Sequence, residues 1–119
     1  MATALKRKLS GSTDGKAIKV VQTSTAGDTI HTAVAGTTAG TFDEVWLWAY
    51  NGHTADVVLT LEFGGATVPD QNIVVTIPVK SGLVPVVPGL ILQNGMVVKA
   101  FAATANVITL IGFVNAITD

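Results

Sequence analysis

The sequence predicts an all-β protein: an antiparallel β-sandwich of about seven or eight strands, of which the jelly roll is one form. Three observations lead there. Apolar residues recur with a period of two in several segments, and the β-branched residues Val, Ile and Thr are abundant. Gly, Pro and Asn turn signals fall between those segments at roughly 8–12-residue spacing. No long segment carries a capped stripe of helical period, so no helix beyond about two turns is predicted. At 119 residues the chain holds one domain, since two cores of about 60 residues would each lie near the floor for unaided folding.

The elements follow in chain order. Residues 1–15 read as a basic N-terminal arm, polar and rich in Gly, Ser and Thr. Such a segment has too little apolar surface to offset roughly 1–2 kcal/mol of backbone entropy per residue, so it is expected to stay extended or disordered until it docks. Residues 16–119 form the sandwich. A first strand is expected over residues 16–21. The Thr/Ala/Gly-rich stretch 22–42 reads either as loop around one short strand at 28–34 or as a linker between the arm and the body. Residues 44–51 form the next strand, and 56–63 another. In the latter, Val57, Leu59, Leu61 and Phe63 share one face, while Asp56, Thr60 and Glu62 share the other. Residues 72–80 alternate likewise, and Pro78, which has no N–H to donate, implies that the strand lies at a sheet edge or that its donor position faces outward. Residues 90–93 and 96–103 flank Asn94-Gly95, a pair suited to a tight hairpin turn. A long strand over residues 106–117 closes the chain.

Composition narrows the function. Hydrophobic residues make up 49% and charged residues only 13%, against an ordinary charged share of about 25%. So small a domain has a high surface-to-volume ratio, and this balance implies that a partner covers some apolar surface. The absence of Cys excludes disulfide and thiolate chemistry. The richest apolar stretch, residues 83–92, is broken by Pro85, Pro88 and Gly89 and is too short for a membrane helix of about 20 residues. No apolar run follows the basic cluster near the start, so no secretory signal is expected and no membrane partner is implied. Residues 1–19 hold five of the seven Lys and Arg but one of the eight acids. A basic arm thus joins an acidic, apolar body. Three consecutive cations with no aromatic among them make a poor nucleic-acid patch, so an acidic protein surface is the better match.

Catalytic constellations are missing from the pattern. Neither His31 nor His53 has a second ligand at metal spacing, and no nucleophile elbow surrounds Ser10, Ser12, Ser24 or Ser81. Asp56 and Glu62 fall on the outer face of a strand, and Asp43-Glu44 mark a strand start. The reading is therefore non-enzymatic, with no cofactor and no metal.

Two segments are apolar on both faces. Val45, Leu47 and Ala49 alternate with Trp46, Trp48 and Tyr50. The bulky row either fills the sandwich core, forms a stripe between subunits, or offers a platform for stacking sugars. In the last segment Val107, Ile111 and Phe113 alternate with Ile108, Leu110 and Val114. Two doubly apolar strands are hard to bury in one small subunit. A homo-oligomer is expected, a trimer ahead of a dimer, with Trp46, Trp48, Tyr50, Val107, Ile111 and Phe113 as interface candidates.

The order WLWAYNGHTADVVLTLEFGG, VVTIPVKSGLVPVVPGLIL and VVKAFAATANVITLIGFVNAI, within residues 46–117, resembles small β-rich virion proteins of tailed bacteriophages, of the head decoration or cement type. The resemblance implies a structural component on the phage head surface, made in the bacterial cytoplasm, whose partner is the major capsid protein. Capsid exteriors of that kind are commonly acidic, which makes Leu5, Lys6, Arg7, Lys8 and Leu9 of the arm capsid-contact candidates. The alternatives are a glycan- or host-receptor-binding module of a tail fibre or baseplate, with Asn51, His53 and Asp56 beside the rings, and a tail or connector subunit.

Overall fold

The structure, a computed structural model, describes residues 2–119. It contains nine strands: β1 (Thr3–Lys8), β2 (Ile18–Lys19), β3 (Asp28–Thr32), β4 (Phe42–Asn51), β5 (Val57–Phe63), β6 (Asn72–Ile77), β7 (Val84–Leu92), β8 (Val97–Ala102) and β9 (Ile108–Thr118). The described residues include no helix, and all strand pairings are antiparallel. One sheet runs β1-β9-β4-β7, with β2 also on β9; the other runs β3-β8-β5-β6. Since β1 and β2 lie along the same edge of β9, they act as two pieces of one edge strand. Two four-position sheets in this order, with the chain crossing between them at almost every connection, are a jelly roll. The short axis of 20 Å fits two sheets about 10 Å apart with side chains outside them.

Period-two alternation builds the core as the sequence predicts. Val45, Leu47 and Ala49 of β4, with Ile108, Leu110 and Val114 of β9, face Val57, Leu59 and Leu61 of β5 and Val98, Ala100 and Ala102 of β8. Ile30, Ile77 and Val87 complete the interior, and all are essentially sealed from solvent. The expected edge position of the strand before Pro78 holds, because β6 ends the second sheet at Ile77.

Four expectations need correction. The arm is not detached: Thr3–Lys8 pairs with β9 from Lys8 opposite Phe113 to Thr3 opposite Thr118. Backbone pairing to a long neighbour supplies the order that its side chains do not. Leu9, named as a capsid contact, is only 1% exposed and inserts into the core, so it anchors the N-terminal segment instead. The last element before Asn94-Gly95 is longer than residues 90–93. β7 starts at Val84 and contains Pro85 and Pro88, which an edge strand tolerates, and its register against β4 shifts twice near them. Asn94-Gly95 does adopt the expected turn, with φ of 63° and 67°. It closes no hairpin, however, since β7 and β8 belong to different sheets. The two amides donate to Gly36 O and Val34 O, which fixes the crossing between sheets.

Candidate functional site

Cross-strand register decides which side chains share the outer face of the first sheet. Trp46 lies opposite Phe113 and Trp48 opposite Ile111, while Pro88 and Pro85 flank the two tryptophans from β7. With Val45, Leu47 and Ala49 pointing inward, the aromatic row is displayed outside and does not fill the core. The Trp46 and Trp48 ring centroids are 6.3 Å apart with planes 17° from parallel. Phe113 lies 6.2 Å from Trp46 and 6.0 Å from Trp48. The three rings half-bury one another. Tyr50 extends the row at the exposed end of β4.

Polar groups rim this face. The Lys6 ammonium lies 4.2 Å from the Phe113 ring centroid, a cation–π contact that ties β1 to the aromatic cluster. Glu44 Oε1 accepts hydrogen bonds from Asn115 Nδ2 at 3.0 Å and Trp46 Nε1 at 2.7 Å. These two donors hold the Glu44 carboxyl below its usual pKa, the Asn115 bond having the larger effect. Gly89 has φ of +76° and lies directly beneath the Trp46 indole, where a Cβ would come within 2.7 Å of a ring carbon. The indole can therefore settle on β7 only because residue 89 lacks a side chain.

Of the interface candidates, Trp46, Trp48, Ile111 and Phe113 come together, with Tyr50 beside them. Val107 does not: it precedes β9, packs against the core and accepts the Gly52 N–H at its carbonyl. Among the arm candidates, Leu5, Lys6, Arg7 and Lys8 are exposed on β1, and Lys6 and Lys8 share the aromatic face.

The sequence reading missed a buried polar cluster. His31 Nε2 lies 2.7 Å from Asp43 Oδ2, and both residues are buried. The Ser10 N–H donates to His31 Nδ1 at 3.0 Å, so Nε2 carries the proton that Asp43 accepts. Ser10 Oγ meanwhile accepts the Thr32 N–H, and Asp43 Oδ2 also accepts the Val34 N–H. This is a Ser/His/Asp grouping wired for structure, with the serine backbone, not its hydroxyl, on the imidazole. It fastens the β1–β2 connection and β3 to the start of β4. No local spacing signals it. Glu62, expected on an outer face, is also buried: it accepts Thr25 Oγ1–H at 2.5 Å and the Gly27 N–H at 2.7 Å, which pins the loop before β3 across the second sheet.

The polar trio read beside the rings is engaged in loop geometry. Asn51 is fully buried, donating to Ala55 O and Ile77 O and accepting the His53 N–H. Asp56 Oδ1 accepts the Val79 N–H. Among the described residues no group of three or more His, Cys, Asp or Glu is placed to hold a metal ion. Comparison with protein-family models, with curated proteins and with solved structures yields no match.

Proposed function

We propose that this chain is a non-enzymatic structural protein that binds and stabilises an assembled phage capsid as a homo-oligomeric decoration or cement protein. One observation carries the interaction half of this reading: Trp46, Trp48 and Phe113 are clustered on the outside of the first sheet. Rigid aromatic side chains give large contact area at small entropic cost, which is why they dominate protein interfaces. The buried His31, Asp43 and Glu62 support the non-enzymatic half, because each accepts a backbone N–H of the loop it holds. The capsid itself enters through the resemblance of residues 46–117 to phage head proteins.

Quantitative mass spectrometry of purified particles tests the proposal. A decoration protein should be present at a stoichiometry close to that of the coat protein. A handful of copies per particle would place it in the tail or a fibre and overturn the reading.

Glycan binding is favoured by one specific observation, the nearly parallel Trp46 and Trp48 rings beside the Glu44 carboxylate. It predicts that soluble host glycans quench or shift tryptophan emission. Unchanged emission across a glycan panel would remove it.

A further inference from the structure

We propose that the free edge of β1 takes up an extended acidic segment of a partner protein as an additional strand. The proposal deepens the reading of this chain as an interaction protein, on which it rests, by naming what one edge of it binds.

Hydrogen-bond phase identifies the groups on offer. The Gly52 N–H donates to Val107 O, just beyond the Asn51–Ile108 pair. Hydrogen-bonded pairs alternate along an antiparallel ladder, so Tyr50–Thr109, Trp48–Ile111 and Trp46–Phe113 bond across β4 and β9. The intervening β9 residues therefore turn their amides to the other side. The Val20 N–H donating to Ile108 O agrees with this phase. On β1, Thr3, Leu5 and Arg7 face Thr118, Ala116 and Val114 and bond to β9. Ala4, Lys6 and Lys8 then direct their N–H and C=O groups away from β9, at the open edge of the sheet. No backbone group of another described element reaches them.

Charge selects the occupant. Lys6, Arg7 and Lys8 fall within six residues that include no acid, and Lys19 of β2 lies along the same edge. Among the described residues no Lys or Arg side chain lies within ion-pair distance of a carboxylate, so none of these cations is neutralised within the chain. A second copy fits poorly, since two β1 strands side by side would align six cations without a counter-charge. An incoming strand with acids at alternate positions would face Lys6 and Lys8 on one side of the sheet. A further acid between them would face Arg7 on the other. Backbone bonds then supply affinity and side-chain charge supplies selection, the logic of strand addition at a sheet edge.

The test uses the isolated 119-residue chain and a blocked eight-residue peptide of alternating Glu and Val. At a peptide concentration ten times its dissociation constant, amide exchange at Ala4, Lys6 and Lys8 should slow about tenfold. Thr3, Leu5 and Arg7 are already bonded to β9, so their exchange should change little. Ala4→Pro deletes one outward donor without altering charge and should weaken binding about fivefold. Absence of slowing at Lys6 and Lys8 would overturn the proposal, leaving a basic edge that merely deters aggregation. Equal protection by a Lys/Val peptide would overturn its charge selectivity. Equal protection by polyglutamate or oligothymidine would show an electrostatic patch or a nucleic-acid site in place of strand addition. Particle stoichiometry is measured separately, so failure of the peptide assay is distinguishable from failure of the capsid reading.

Discussion

Glu44 is where the aromatic face meets its polar rim, and two donors converge on one of its oxygens. Its folded pKa is depressed, so its bonds contribute stability above the ordinary glutamate value of 4.5 and lose it as pH falls through the lower folded value. Carbon-detected NMR titration should therefore find Glu44 ionising below 4.5, and Asn115→Ala should return it toward that value. A wild-type titration at the ordinary value would show that the Asn115 and Trp46 bonds do not persist in solution. The sequence placed Glu44 only at a strand start, because Asn115 lies 71 residues away. His31 and Asp43 were obscured for the same reason: the pair joins a loop-like stretch to a strand start, and neither position has a periodic signature. Alternation revealed the Trp46/Trp48 row itself, but which of two apolar faces turns outward depends on the opposing sheet.

Strands with alternating apolar residues were legible because burial of one face dictates both their extent and their register. β1 was not. Its six residues are exposed on both faces, so nothing in TALKRK distinguishes a paired strand from a solvated arm. Pro85, Pro88 and Gly89 resemble a turn in sequence, which shortens the predicted strand to residues 90–93, although an edge strand such as β7 can hold them. Asn94-Gly95 shows the limit of turn chemistry: it fixes the local backbone but not which sheets the flanking strands join. Close packing of elements has a sharper test at Gly112 of β9, where an added Cβ would overlap the Trp46 carbonyl oxygen and crowd Leu47. Gly112→Ala should push β9 from β4 and destabilise the fold by about 2 kcal/mol, read as a lowered urea midpoint with unchanged slope. An unchanged midpoint would mean that the two strands have more room than their packing implies.

At the scale of the molecule, the accessible surface of 6179 Å² is close to the roughly 6,100 Å² of a folded monomer of this mass. The chain therefore closes its own core, and any assembly must form through the apolar groups left outside it. Trp46, Trp48, Ile111 and Phe113 meet on the outer face of one sheet, with Pro85 and Pro88 beside them. A contiguous apolar face on a small domain marks an interaction site. On this reading the face is an interface, first between copies of the chain. Sedimentation equilibrium at micromolar concentration tests for it. The expected result is an oligomer of 12.2 kDa chains, a trimer ahead of a dimer, that dissociates when Trp48 and Phe113 are both replaced by Thr. A wild-type protein that sediments as a 12.2 kDa monomer would contradict the claim.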